Sequence, residues 1–361
     1  MWRSLSSCFE VVPDATSAWK PEHAPHATVT NSSGKTYIVE PPFADFTAKP
    51  ENALTLEYAA LSYDGENYGK KLPLELLQNN LLKSRYRGDI YLKFTFTVGE
   101  TPADLRLVTE PDNFLSVTVN GETVNLKNDA WLDRSFISAP ISAYAKTGEN
   151  EIVLKMNYYQ DDYVYYVLYG GVSETLKNCL NYNTELNQIY LVGDFAVKTE
   201  GTFIPAPRRS MIYDGNFVLE NQKTEVDVAD FVTKGYPYFA GSMNVVTEFD
   251  ADYTSAQLEL GGRFAVAKIR VNGQDAGNMM FDYVLDISKH LKKGKNKLEI
   301  ELISGNRNLM GPHHNSDPES YFVGPYTFTV EGTWENDQSP SWRDEPSFVQ
   351  FGVTDIIIRH N

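Results

Sequence analysis

Two stretches of this 361-residue chain repeat one another, and self-similarity at domain-sized spacing means two like units rather than one large fold. Ser116-Val117-Thr118-Val119-Asn120-Gly121-Glu122-Thr123-Val124 matches Lys268-Ile269-Arg270-Val271-Asn272-Gly273-Gln274-Asp275-Ala276. Further on, Gly148-Glu149-Asn150-Glu151-Ile152-Val153-Leu154, preceded by Ile141-Ser142, matches Gly294-Lys295-Asn296-Lys297-Leu298-Glu299-Ile300, preceded by Ile287-Ser288. The offsets are 152 (272 − 120) and 146 (294 − 148), so only the loop between the motifs changes length. A looser third correspondence sets residues 189–197 against 348–356.

Each Asn-Gly pair supplies the positive φ angles of a type I′ turn, so each copy is expected to carry a tight hairpin. Ile-Ser, a polar stretch and then Gly-x-Asn reads as one helical turn followed by a strand. Elsewhere the pattern has period two, as in Tyr91-Leu92-Lys93-Phe94-Thr95-Phe96-Thr97-Val98, with turn residues between the runs. The expected fold class is therefore all-β: two tandem β-sandwiches with an irregular N-terminal segment. The boundaries are 1–52 for that segment, which is punctuated by proline and could be the tail of an upstream domain, then 53–200 for sandwich 1 and 211–361 for sandwich 2. Pro205 and Pro207 mark residues 201–210 as a linker. One helix is predicted at Pro73-Leu74-Glu75-Leu76-Leu77-Gln78-Asn79-Asn80-Leu81-Leu82-Lys83. The alternation Tyr163, Tyr165, Val167, Tyr169 reads as a strand.

With 48 acids and 32 bases the formal charge is −16, which repels phosphate backbones and makes nucleic acid a poor partner. No run approaches the roughly 18 apolar residues of a membrane helix, so no membrane partner is expected. Two cysteines, Cys8 and Cys179, fall short of a disulfide scaffold. The first residues lack a secretory apolar stretch and read as a cut into a longer chain, so the cytoplasm and a longer exported protein both fit.

The stretch from Leu258 to Leu302, with Val271-Asn272-Gly273, Leu285-Asp286-Ile287-Ser288 and Gly294-Lys295-Asn296-Lys297-Leu298, resembles the sugar-binding jelly roll of glycoside hydrolase family 2, a galactose-binding-like fold. Gly235-Tyr236-Pro237-Tyr238-Phe239-Ala240-Gly241 and Arg307-Asn308-Leu309-Met310-Gly311-Pro312-His313-His314 look like the carboxy-terminal part of large bacterial glycoside hydrolases, including rhamnosidase-like ones. That resemblance implies accessory sandwiches beside a catalytic barrel. A barrel of about 250 residues with alternating helices does not fit this chain. The implied function is a non-catalytic carbohydrate-binding or scaffolding pair, with an oligosaccharide or polysaccharide and an upstream catalytic domain as partners. The alternatives are a glycosidase with an unrecognised carboxylate site, or a protein-protein assembly module. No hydrolase motif singles out a catalytic residue.

Candidate carbohydrate contacts are polar or aromatic residues in turn-rich settings. Arg307, Asn308, His313, His314 and Tyr321 combine donors, acceptors and a ring. Trp131, Trp334 and Trp342 could stack on a sugar or plug a sandwich end. Tyr159 and Asp161 form a further pair. The competing reading for Arg307 to His314 is mutual satisfaction at a domain interface. A metal site from His313, His314 and Asp317 is not expected, since neighbours on a strand face opposite ways. No cofactor is expected; the acidic loop with Asp250 and Asp252 could hold a structural calcium, though no EF-type spacing supports it.

Overall fold

The computed structural model describes residues 51–129, 131–222, 226–320 and 334–360, together with the backbone of three short strands at 27–30, 36–39 and 43–45. Most of the N-terminal segment thus lies outside the described residues, although Thr36–Val39 is a strand. The architecture is all-β. Sandwich 1 contains β1 (Asn52–Leu56), β2 (Tyr58–Ser62), β3 (Gly88–Val98), β4 (Leu105–Thr109), β5 (Phe114–Val119), β6 (Ile137–Pro140), β7 (Gly148–Tyr158) and β8 (Ile189–Gly193). A long hairpin follows, β9 (Phe195–Ala206) and β10 (Ser210–Asn221). Sandwich 2 contains β11 (Ser242–Ala251), β12 (Ala256–Arg263), β13 (Val266–Val271), β14 (Val284–Asp286), β15 (Gly294–Ile303) and β17 (Gly352–His360), while β16 (Ser347–Val349), just before β17, pairs with β10 of the hairpin.

The two sandwiches share one topology. Strand order β5-β7-β3 in sandwich 1 is repeated as β13-β15-β11, and the facing order β6-β4-β8 is repeated as β14-β12-β17. Alternation explains why: along β3 the residues Ile90, Leu92, Phe94, Phe96 and Val98 are buried while their neighbours face outward, which is the pattern of a sheet with one face on a core.

The repeat holds at the level of single hydrogen bonds. Asn120 and Gly121 have φ of 50° and 86°, and Asn272 and Gly273 have 54° and 79°, the left-handed pair of a type I′ turn. The Asn120 amide nitrogen donates to Asn150 Oδ1 at 2.8 Å, and that of Asn272 donates to Asn296 Oδ1 at 2.9 Å. Asn150 donates to the carbonyls of Lys146 and Gly148, and Asn296 to those of Lys292 and Gly294. Even the serines agree: Ser142 Oγ accepts from Leu105 N–H and Ser288 Oγ from Ala256 N–H. These residues recur because they tie the turn to the next strand, which is a folding role.

Four details differ from the sequence reading. First, residues 201–210 are no linker: β9 and β10 pair from Phe195↔Asn221 to Ala206↔Ser210. The prolines are tolerated because β9 is an edge strand and they sit at its outer end. At mid-hairpin Gly201 faces Gly215, where a Cβ on Gly201 would meet the Asp214 carbonyl oxygen at 2.0 Å. Second, Tyr163, Tyr165, Val167 and Tyr169 lie on a helix, α2 (Asp162–Tyr169), not a strand. Val164, Tyr165, Val167 and Leu168 are buried and Tyr163 and Tyr166 exposed, a three-to-four-residue period that a short aromatic run conceals. Third, the partner of Gly193 in the repeat is His360, since Gly193 pairs with Leu105 and His360 with its equivalent Ala256. The looser correspondence is therefore out of register by eight residues (360 − 352). Fourth, the polar stretch after Ile141-Ser142 is a turn, and only its counterpart Ser288–His290 forms a 3₁₀ turn.

The predicted helix is α1 (Leu74–Lys83). Leu74, Leu76, Leu77, Leu81 and Leu82 are all buried, more than one face can supply, so the helix must be covered on several sides. Leu77 and Leu81 enter the main core, Leu82 packs with Val164, Tyr165 and Leu168 of α2, and Leu76 packs with Trp334. Residues 159–188 follow β7 and residues 304–346 follow β15, so α1 is gripped by equivalent inserts, one from each sandwich.

Candidate functional site

Glu57 stands alone as a charge in the apolar run Ala53-Leu54-Thr55-Leu56-Glu57-Tyr58-Ala59-Ala60-Leu61, at the corner between β1 and β2. A carboxylate at such a place needs partners, and sandwich 2 supplies them. His313 Nδ1 lies 2.8 Å from Glu57 Oε1, and His314 Nε2 lies 3.2 Å from Oε2. The other ring nitrogen of each histidine faces a carbonyl oxygen, Asn308 at 2.9 Å for His313 and Arg343 at 2.9 Å for His314. Each imidazole therefore stands between two acceptors, and both contacts are hydrogen bonds only when both ring nitrogens carry hydrogen.

The electrostatics follow from this arrangement. Burial alone would raise the Glu57 pKa, but the charges and N–H groups of His313 and His314 overcome it and hold the carboxyl well below the usual range. Burial would lower the pKa of His314, and Glu57 reverses the direction so that it is raised. Glu75, on the first turn of α1, is pushed up to about 7 by burial and then by the nearby Glu57 charge. Its Oε2 is closed off from solvent and has no hydrogen-bond partner among the described residues.

Aromatic rings enclose the node. The Trp342 ring stacks on His314 with centroids 4.8 Å apart, and its Nε1–H donates to Tyr58 Oη at 3.1 Å. Tyr238 meets His313 edge-on at 5.2 Å and Phe348 at 4.9 Å. Trp342→Phe should keep the stacking and lose the hydrogen bond; the expected cost is about 1 kcal/mol, read as a small shift of the urea midpoint.

Behind the histidines, α3 (Arg307–Met310) fastens the insert. The Arg307 guanidinium donates to Glu319 Oε2 at 2.8 Å, Pro318 O at 2.7 Å and Ser347 Oγ at 2.9 Å. Asn308 pairs with both backbone groups of Val349, as a neighbouring strand would. Leu309 enters a small cluster with Ala53, Val108, Phe136, Tyr190 and Val192 of sandwich 1, against which Trp131 packs.

The residues expected to touch sugar thus divide. Arg307, Asn308, His313, His314, Trp334 and Trp342 come together at the joint between the sandwiches, with Trp131 at its edge, and the side-chain polar groups of Arg307, Asn308, His313, His314 and Trp342 are spent on protein partners. Tyr159 and Asp161 lie elsewhere: the Arg87 guanidinium sits 5.7 Å from the Tyr159 ring centroid, and Asp161 accepts from the Asn183 amide at 2.9 Å. Tyr321 is outside the described residues. The histidines are not on a strand, so the argument from opposite faces fails and both reach one carboxylate. Among the described residues no three His, Cys, Asp or Glu side chains are grouped to hold a metal ion. Glu57, Tyr58, Glu75 and Tyr238 were not foreseen; the lone charge in the β1–β2 run was the available signal for Glu57.

No protein-family model matches the chain, and no curated protein does. Among solved structures it is similar to the β-glucuronidase of Ruminococcus gnavus, at 12% identity and TM-score 0.30, over 73% of this chain and 44% of that one. A β-D-mannosidase from Dictyoglomus thermophilum is similar at 13% identity and TM-score 0.28, over 70% of this chain and 31% of that one. A rhamnosidase from Novosphingobium sp. PP1Y is similar at 15% identity and TM-score 0.24, over 75% and 22%. The chain therefore spans less than half the length of these structures.

Proposed function

We propose that the chain is a non-catalytic pair of jelly-roll-like sandwiches from a glycoside-hydrolase-type protein, acting first as a rigid scaffold. The observation that supports scaffolding is the Glu57 node: groups chemically suited to sugar hydroxyls are committed to holding one sandwich on the other. Sugar binding is assigned to the surface of α2, where Tyr163 and Tyr166 are 56% and 55% exposed, next in sequence to Asp161. Such rings can stack on pyranose faces while the carboxylate accepts from hydroxyls. Isothermal titration with plant and host oligosaccharides tests this. Binding lost in Tyr163→Ala and Tyr166→Ala supports the assignment, and no heat with any of them removes it.

The catalytic alternative has one observation in its favour: Glu57 and Glu75 titrate in opposite directions at one node, as the acid and base of a glycosidase do. Both Glu57 oxygens are occupied by histidine, however, so the expected result with a panel of aryl glycosides is no release of nitrophenol. Turnover abolished by Glu75→Gln would overturn the scaffold reading.

A further inference from the structure

We infer that the Glu57 node is a pH-sensitive clasp, closing the two sandwiches on each other in mildly acidic solution and loosening as the solution turns alkaline. The inference rests on the reading of this node as the joint, and is independent of what the protein binds. It stands first on hydrogen-bond geometry. His313 and His314 each lie between two acceptors, one of them Glu57 of the opposite sandwich. A neutral imidazole has a single N–H, so deprotonation of His314 leaves one acceptor facing a lone pair in a buried place. The His313 side chain is fully enclosed and that of His314 is 5% exposed, so water is poorly placed to repair the loss.

The second component is Glu75. It reaches the node from α1, and its enclosed Oε2 has no hydrogen-bond partner among the described residues. As a neutral acid it is tolerable there; as a carboxylate it adds a second negative charge beside Glu57. The other groups facing the node do not offset this. Tyr58 on β2 and Tyr190 on β8 are neutral phenols with raised pKa values, as is Tyr238 from the segment before β11. Asp344 is acidic and accepts from the Tyr58 hydroxyl. Of the cations, Arg343 is turned to the Ser316 carbonyl, Lys83 to the Trp334 carbonyl, and Arg307 to Glu319.

The signs agree. Glu75, raised from 4.5 to about 7, favours the closed joint most below pH 4.5 and loses that contribution as pH climbs to about 7. His314, raised from 6.5, contributes fully below pH 6.5 and less as pH rises through its folded value. Glu57, lowered from 4.5, opposes both only below pH 4.5. The joint is therefore tightest near pH 4.5, loosens as Glu75 ionises on the way to about pH 7, and loosens further as His314 loses its proton above pH 6.5.

The test is hydrogen exchange by mass spectrometry on the full chain at pH 5.5 and 8.5, with the intrinsic rate change divided out. Peptides covering residues 52–62 and 304–320 report the joint; those covering β13 and β15 report the core of sandwich 2. Glu75 alone should raise the opening constant of the joint about thirtyfold over that interval, provided its pKa returns to the ordinary value on opening. The core peptides should change far less. Glu75→Gln should be about tenfold better protected than wild type at pH 5.5 and lose most of the rise between pH 5.5 and 8.5. Equal joint protection at the two pH values in wild type, or an undiminished rise in Glu75→Gln, would overturn the inference. Glu57→Gln separates it from the reading beneath it: if that variant leaves the joint as protected as wild type at pH 5.5, the node is not the joint at all.

Discussion

Glu57→Gln is expected to divide the cooperative unfolding of this chain into two transitions. Gln keeps the size of the side chain but removes the charge, and it sets an amide where His313 and His314 both direct ring nitrogens. Removing one partner of a buried ion pair typically costs about 3–5 kcal/mol, because what remains is charged and unpaired. Here the loss falls on the polar contact between the sandwiches, whose apolar residues otherwise form one continuous cluster, so two transitions are expected only to the extent that the Glu57 contacts couple the two units. Differential scanning calorimetry reads this directly; a single unshifted peak would show that the apolar cluster running through both sandwiches, with Leu309, Trp334 and Leu76, holds the joint by itself.

The second large effect is expected inside each repeat. Asn296 is fully buried, and its side chain donates to the carbonyls of Lys292 and Gly294 while accepting from Lys292 N–H and from Asn272. Asn296→Ala strands these groups at about 1–3 kcal/mol for each one left without water, so a total of about 3–4 kcal/mol is reasonable. For a domain of this size that corresponds to a fall in Tm of about 10 °C. Asn150→Ala should do the same to sandwich 1, because its hydrogen bonds are the same. Circular dichroism melts of the two variants, with Asn→Asp versions alongside, check it; a difference of more than twofold between the two copies would argue that their nodes are not equivalent.

These asparagines also explain what was legible in the sequence. Asn120, Gly121 and Asn150, like Asn272, Gly273 and Asn296, lie close enough along the chain to appear as motifs, and each is required by a local turn or hydrogen bond. The period of two in β3 was equally local. The joint could not be read that way, since Glu57 and His313 are 256 positions apart and nothing in either neighbourhood names the other. His313, His314, Arg307 and Trp342 did stand out as chemically rich, but richness alone does not distinguish a group awaiting a ligand from one already bound to its own protein. Helix α2 was missed for a different reason: eight residues with tyrosine at alternate places satisfy a strand pattern and a helix pattern together, and the choice is made by Leu82 of α1 beneath it. The prolines near 205 signalled a break where there is only the far end of a hairpin.

That hairpin has a mechanical consequence. Near its base β10 pairs with β3 of sandwich 1, through Val218↔Thr97 and Leu219↔Val98, and near its tip it pairs with β16, through Ser210↔Val349 to Ile212↔Ser347. It is thus a beam clamped at both ends, running alongside a joint that is itself a separate fastening. If the Glu57 clasp opens, the two bodies do not drift apart but are confined to bending and twisting about this beam.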